Sequence, residues 1–519
     1  MTPSFRRGRV SAPEPSVPLR PSTALPAGAI SVRASPTPSL GRLAARGAAW
    51  IAFSFGASQM IAMASNLLLA RVLSPQDFGL VAMANLLLAF VGPFHDSGLL
   101  PAFVARKDAV RESAATIAWS TPVTGLAVAA VTVLAAPLAG VLFARSDVVP
   151  VMRVLALVFV LNGLAVAPLA VISKELAFRS KATVGIVGAL AEGVCGIALA
   201  LRGAGYWSLV GAQLARATVT GVAAWWLAPW KPLGRFVWAR FREMARFGRH
   251  MVAGNLLGLL GSYLDNIVVG RWLGAEALGL YGTAFRWGRL PSQALGTTAN
   301  QVAFPSYVAV QAEPARLKAA YLRVLHTVST LALPASLGLL VIAPDLVATL
   351  YPPRWAGMVG PLRIFAIFGL VNALVATTGD IFKAAGRPGW IPGLAIVHLP
   401  SLAAALWFLT AYGPAGAASG LLLATVVSGT VALTAAFRLL GVSFRELATT
   451  LGPPAGAALV MATVVDVLRG TLASVPGLVA LLVLAIVGVL VYAAALRLLG
   501  RERWDELVAT ARDAISRGQ

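Results

Sequence analysis

Charge is scarce in this sequence. Of 519 residues only 12% are Asp, Glu, Lys or Arg, while 58% are hydrophobic. A water-soluble chain carries about a quarter charged residues, so the polar surface here cannot cover a soluble globule. Cysteine is almost absent. Cys195 stands alone, which excludes a disulfide within the chain and a cysteine-based metal framework. The four histidines, His95, His250, His326 and His398, lie far apart; they form no ligand motif and read as helix-end or packing residues. Also missing are a GxxxxGKS/T phosphate loop, a GxSxG elbow, an HExxH pair and an acidic DxD pair. Without them the chain is not an ATPase or sugar-nucleotide transferase of ordinary type, and no cofactor or metal is implied.

What is present is a succession of apolar stretches near the length that crosses a hydrocarbon core. Fourteen spans fit, near 47–70, 79–100, 114–144, 150–172, 184–201, 207–230, 250–271, 278–304, 321–350, 358–384, 390–411, 415–437, 452–469 and 477–498. Backbone groups in lipid must bond to one another within the segment, so the spans are expected to be helices; the alternating pattern of a barrel is absent. The expected fold is an all-α membrane protein.

The formal charge of +22 does not indicate nucleic acid. A nucleic-acid site gathers its basic residues in one patch, whereas here they fall in short clusters between spans. With the N-terminus in the cytoplasm, about 31 of the 42 Lys and Arg lie inside, as the positive-inside rule requires. Both termini are therefore expected to be cytoplasmic. Residues 1–45 are rich in proline, serine and arginine and read as a disordered basic tail. That tail either attracts anionic lipid heads or is a dispensable extension. Residues 500–519 read as a second cytoplasmic tail.

The chain also repeats itself. Segment 66–84, NLLLARVLSPQDFGLVAMA, aligns without gaps to 266–284, NIVVGRWLGAEALGLYGTA. Asn66, Arg71, Leu73, Gly79, Leu80 and Ala84 recur as Asn266, Arg271, Leu273, Gly279, Leu280 and Ala284. Six spans separate the copies, so both run in one direction: a parallel repeat about an axis along the membrane normal. The organisation expected is an N-lobe at 46–230, a basic inter-lobe loop at 231–249, a C-lobe at 250–440 and two further spans at 441–499. Two six-helix lobes facing each other suit an alternating-access carrier.

At these residues a family likeness enters. LLLARVLSPQDFGLVAMA resembles the opening of bacterial polysaccharide flippases of the multidrug/oligosaccharidyl-lipid/polysaccharide exporter superfamily. Residues 247–291, FGRHMVAGNLLGLLGSYLDNIVVGRWLGAEALGLYGTAFRWGRLP, are similar to the seventh and eighth spans of its exopolysaccharide and colanic-acid-type branch. VAFPSY at 302–307 and LYPPRWAGMVGPLRI at 350–364 continue the likeness, which covers about 46–440. The resemblance implies a flippase for O-antigen or exopolysaccharide repeat units on undecaprenyl pyrophosphate, in the bacterial inner membrane, with polysaccharide polymerase machinery as a further partner.

Ionisable residues inside spans cost several kcal/mol unless paired or wet, and are the default site candidates. Glu192 and Arg216 each lie ~12 residues from the turn near 204, hence at one depth on adjacent helices. They form a salt bridge, or Glu192 orients Arg216 toward a cavity as the third arginine of a pyrophosphate cradle with Arg286 and Arg289. Arg286 and Arg289 are three apart on one helix face, and two guanidiniums there can grip a pyrophosphate through paired N–H forks. Asp265, on the preceding span, can pair Arg286 until substrate arrives, or the two are a structural bridge. The eighth span is unusually polar, with Thr283, Gln293, Thr297, Thr298, Asn300 and Gln301, as a cavity-lining helix would be, and Pro291 is expected to break it. Asp96 reads as a gate, a proton carrier or a helix-end cap. Asp380 with Lys383, and Asp466 with Arg469, are spaced to satisfy each other. Tyr281, Phe285 and Trp287 stack sugars or serve packing. The rival readings are a multidrug or peptidoglycan-precursor exporter of the same fold, and an integral-membrane polymerase or ligase. The short outside loops speak against the last.

Overall fold

In the computed structural model the described residues are 40–96, 99, 103–104, 109–387, 389–472 and 474–500. The chain divides into two units between Ala44 and Ala45, and apart from the first residues of the first helix all that follows concerns the second. The N-terminal tail, apart from its last residues, and the tail after Gly500 lie outside the described residues.

The described chain is helical, with no strand among its residues. Six helical units come first: α1 (Leu40–Val72), α2 (Pro75–Asp96), α3 (Val110–Phe143), the consecutive α4 (Val148–Leu155) and α5 (Leu157–Lys174), α6 (Phe178–Leu201) and α7 (Trp207–Leu227). Six more follow: α8 (Trp238–Val268), α9 (Gly274–Ala309), α10 (Pro314–Leu350), α11 (Val359–Ala384), α12 (Trp390–Leu409) and α13 (Gly413–Leu440). The last two are α14 (Phe444–Thr471) and α15 (Gly477–Leu499). Each span expected from sequence falls on a helix. Ten segments among the described residues are long and apolar enough to cross a membrane, and one of them, Trp390–Leu440, contains two helices. Two expectations shift. Helix α8 starts at Trp238, so a helix occupies much of the stretch expected to be an inter-lobe loop. Helix α9 runs unbroken past Pro291 to Ala309, so the proline does not end it.

Helices pair alike in the two halves: α3 with α5 and α10 with α11, α6 with α7 and α12 with α13, α5 with α7 and α11 with α13. This is the parallel repeat in three dimensions. Its local chemistry differs at the equivalent first turns. At α1–α2 the Ser74 hydroxyl accepts the backbone N–H of Asp77, and the Asp77 carboxylate accepts the Ser74 N–H, a reciprocal cap that starts the helix at Pro75. At α8–α9 a π-helical turn, Val269–Leu273, leads to Gly274 with φ +86°, a conformation that favours glycine.

The lobes are joined at the end carrying these turns. Leu73, Phe78 and Val81 from the N-lobe share one apolar core with Leu278, Tyr281, Leu346, Met358 and Phe365 from the C-lobe. Trp355, fully buried, donates its indole N–H to the Ala70 carbonyl at 3.0 Å and meets Phe78 edge-on. Arg354 donates to the Arg71 carbonyl at 2.6 Å. Helices α2 and α9 touch backbone to backbone. A Cβ on Gly79 would fall on the Ala275 carbonyl oxygen, and one on Gly279 would fall on that of Pro75. Gly279 is the repeat equivalent of Gly79, and Ala275 that of Pro75, each 200 residues further on, so the contact is symmetric about the repeat axis.

At the opposite end the apolar cores separate by lobe. One gathers Phe103, Ile117, Val171 and Met244 on the N-lobe; another gathers Tyr307, Tyr321 and Phe382 on the C-lobe. Met244 belongs to the first half of α8, whose far end reaches Val268 in the joined core, so one helix links the two lobes. Helices α14 and α15 pack on α10 of the C-lobe. There Tyr492 donates to the Thr330 carbonyl at 2.7 Å, and Arg469 meets Asp345 at 2.5 Å and Asp466 at 3.6 Å.

Adding a methyl at a backbone contact forces the helices apart, at a cost of about 1–3 kcal/mol. Gly79→Ala or Gly279→Ala, on a Cys195→Ala background, is therefore expected to expose a cysteine placed at the buried Leu73. The check is the rate of maleimide labelling of solubilised protein. Faster labelling in the glycine variants is the expected result.

Candidate functional site

Three connected cavities lie inside this frame. The largest, about 820 Å³, sits between the lobes and is walled by α1, α2, α8 and α9, including Asn66, Asn85, Asn266, Thr283, Arg286 and Arg289. A second, about 450 Å³, lies within the N-lobe and holds Glu192, Arg216, Asn162 and Gln213. A third, about 380 Å³, lies within the C-lobe and holds Asp265, Asn372, His398 and Ser428. Arg286 borders both the first and the second, and Arg289 both the first and the third.

Arg286 and Arg289, three apart on α9 and so on one face of it, both line the central cavity. Their outer contacts diverge. Arg286 donates to the Asn66 side-chain oxygen on α1 at 2.9 Å, a hydrogen bond between the lobes. Asn66 holds that orientation by donating to the Ala62 carbonyl at 2.7 Å. Arg289 lies over the Phe285 ring at 5.3 Å. No carboxylate lines the central cavity among the described residues.

The expected pairing of Asp265 with Arg286 is replaced by another. The Asp265 carboxylate, only 2% exposed, accepts the Tyr281 hydroxyl at 2.6 Å and the Asn266 amide at 3.0 Å. Both partners lie within the C-lobe, so Asp265 positions its own lobe and leaves Arg286 to Asn66. Glu192 and Arg216 do pair, at 2.6 Å, and line the N-lobe cavity; both sequence readings of this pair are met together. Asp380 and Lys383 pair at 3.0 Å. Asp96 ends α2, and its side chain lies outside the described residues. So do those of Gln293, Thr297, Thr298, Asn300 and Gln301; Thr283 does line the central cavity. Of the aromatic candidates, Tyr281 is buried on Asp265 as a packing residue, while Trp287 donates to the Tyr351 hydroxyl at 2.8 Å and lines the central cavity. Phe285 faces the cavity.

Sequence reasoning missed the carboxamides. Asn66, Asn85, Asn162 and Gln213 line the cavities from four different helices. The signal is in the sequence, since neutral polar side chains within apolar spans also carry a burial cost, but outside the eighth span only ionisable groups mark the candidates named from sequence.

A membrane-embedded helical protein with two like lobes and a polar cavity between them is a transporter. Comparison with known proteins then places it more narrowly. The chain belongs to the polysaccharide biosynthesis protein family, whose model matches residues 68–360. It is 24% identical over 376 residues to the teichuronic acid biosynthesis protein TuaB of Bacillus subtilis (strain 168), covering 71% of this chain and 78% of that one. It is 23% identical over 347 residues to the lipopolysaccharide biosynthesis protein WzxC of Escherichia coli (strain K12), covering 66% and 70%. Among solved structures, the lipid II flippase MurJ in an inward closed conformation matches with a TM-score of 0.70 at 12% identity, over 87% of this chain and 98% of that one. An inward-facing MATE-family multidrug transporter of the MOP superfamily matches with a TM-score of 0.57 at 16% identity, over 74% and 94%. These two likenesses establish the fold.

The polar contacts make separable predictions. Arg216 and Glu192 are half and one-third exposed to their cavity, so neutralising both, Arg216→Met with Glu192→Gln, should change stability by less than about 1 kcal/mol. Asp265→Ala strands the buried Tyr281 hydroxyl and should cost about 1–3 kcal/mol. Denaturation midpoints of the purified proteins check both.

Proposed function

We propose that this protein flips a polyprenyl-pyrophosphate-linked oligosaccharide repeat unit across the bacterial inner membrane by alternating access, for exopolysaccharide or O-antigen assembly. The observation that carries the reading is the central cavity, with two arginines and no carboxylate among its described lining residues. A fixed positive surplus inside a membrane protein calls for an anion. Paired guanidiniums suit phosphate oxygens. A cation-exporting cavity would carry the opposite sign.

In this proposal Arg286 and Arg289 hold the pyrophosphate of the undecaprenyl carrier, and Arg216, expected from sequence to join that cradle, supports the sugar end instead, because it is bonded to Glu192 in the N-lobe cavity. Asp265 supports the C-lobe wall, and Asp96 stands as a gating candidate at the end of α2. The prenyl tail stays in lipid between the lobes. With the termini in the cytoplasm, the joined end faces outward and the parted end faces the compartment where the lipid-linked sugar is made. Loading of the cavity breaks the Arg286–Asn66 hydrogen bond, because a phosphate competes for the same guanidinium. The lobes then part at the joined end and close at the other. Polymerase machinery on the outer face receives the product.

The test is transport in sealed vesicles. Protein is reconstituted with a lipid-pyrophosphate-linked oligosaccharide, and the fraction reached by an external glycosidase is followed. Wild type should flip the lipid, and Arg286→Ala with Arg289→Ala should slow it by about tenfold or more, the scale of one charge-assisted hydrogen bond. Undiminished transport by the double variant would make the arginines structural. No transport by wild type would sink the flippase reading.

A further inference from the structure

Asparagine is rare in this chain. It occurs at seven positions, all of them within helices. Five have described side chains, and all five line one of the three cavities: Asn66, Asn85, Asn162, Asn266 and Asn372. A carboxamide offers two donors and a two-lone-pair acceptor, and placing one in a hydrocarbon-spanning helix is unfavourable unless those groups are used. Their confinement to cavity walls is therefore a selection of position.

The N-lobe cavity concentrates them. Asn85 from α2, Asn162 from α5 and Gln213 from α7 meet there. Asn85 and, from α1, Asn66 also border the central cavity, where Asn66 holds Arg286. No side-chain hydrogen-bond partner within the protein is found for Asn85, Asn162 or Gln213 among the described residues. The charge in this cavity is balanced internally, since Glu192 and Arg216 bond to each other. Away from the Arg286 boundary, the wall is electrically neutral and rich in both donors and acceptors. That is a poor match for a second anion, which Glu192 would repel. It is a good match for a neutral group bearing many hydroxyls, each itself donor and acceptor. The volume, about 450 Å³, is within the usual range of small-molecule sites.

We infer that the N-lobe cavity is a sugar-reading compartment, in which Asn85, Asn162 and Gln213 bind the sugar that adjoins the pyrophosphate held at Arg286. The inference rests on the pyrophosphate reading above, and it deepens that reading by assigning specificity to a different lobe and different residues. The geometry sets the order. Arg286 stands at the boundary of the central and N-lobe cavities, so a headgroup anchored there by its phosphates directs the next unit toward the amides. Discrimination follows from the same chemistry, because a site built to bond hydroxyls leaves its amides unsatisfied when they are missing.

The experiment compares two lipids on the full chain in nanodiscs: undecaprenyl pyrophosphate, and the same lipid bearing one N-acetylglucosamine. Binding is read from tryptophan fluorescence. Wild type should prefer the sugar-bearing lipid by about tenfold or more, the scale of two neutral hydrogen bonds. The triple variant Asn85→Leu, Asn162→Leu and Gln213→Met should lose that preference while keeping the affinity for the sugarless lipid. Arg286→Ala should weaken both lipids. As a second readout that tolerates poor folding of the triple variant, Gln213→Cys on a Cys195→Ala background should be protected from N-ethylmaleimide by the sugar-bearing lipid and not by the sugarless one. Equal binding of both lipids by wild type, a preference that survives in the triple variant, or equal labelling would overturn this inference and leave the pyrophosphate reading standing. Binding of neither lipid by wild type would overturn both.

Discussion

A polar side chain inside a hydrocarbon layer must reach a partner, a cavity or the interface, because the lipid offers no hydrogen bonds in exchange for water's. Much of this protein's arrangement can be read as an answer to that constraint. Arg216 finds Glu192, and Lys383 finds Asp380. Asp265 finds Tyr281 and Asn266. Arg286 bonds to no acid among the described residues, and its partner is a carboxamide on the opposite lobe. The bond it makes there, to an uncharged acceptor, is weaker than a salt bridge and more easily exchanged for a phosphate. A residue whose partner is readily exchanged therefore stands where the cavities meet.

The second determinant is the asymmetry of packing between the two ends. One core is common to both lobes at the α1–α2 and α8–α9 turns, while the cores at the opposite end are separate. Close-packed interfaces are bistable and do not deform continuously. A joined end held by backbone contact at Gly79 and Gly279, and by Trp355 seated on Ala70, is a contact that is made or broken as a whole. Helix α8 rises from the N-lobe core at Met244 and ends at Val268 in the joined core, so it ties the lobes while leaving the parted end open to relative movement.

Much of this was legible in sequence, and the parts that were not share a physical reason. Helical spans could be read because apolar length is a strong signal. The repeat could be read because Gly79 and Gly279 are identical and in register, although nothing in a one-dimensional alignment says that the two copies touch. Glu192 and Arg216 were placed together because two helices joined by a short turn bring equal depths side by side. Asp265 and Arg286 were placed together on the same reasoning, and there it failed: equal depth does not fix rotation about the helix axis, and a tyrosine hydroxyl on the same partner helix offered Asp265 a buried bond. The Asn66–Arg286 contact crosses 220 residues and no local rule reaches it. The amide lining escaped for want of charge.

The central claim is that the two lobes exchange a joined end for a parted one. Double electron–electron resonance on a Cys195→Ala background tests it most directly. One pair of spin labels would sit on exposed residues at the joined end, Arg202 and Ala411, and the other at the parted end, Lys181 and Gly389. The account predicts that adding lipid-linked substrate lengthens the first distance and shortens the second within the same population of molecules. Distances that stay fixed, or that lengthen and shorten together, would contradict it.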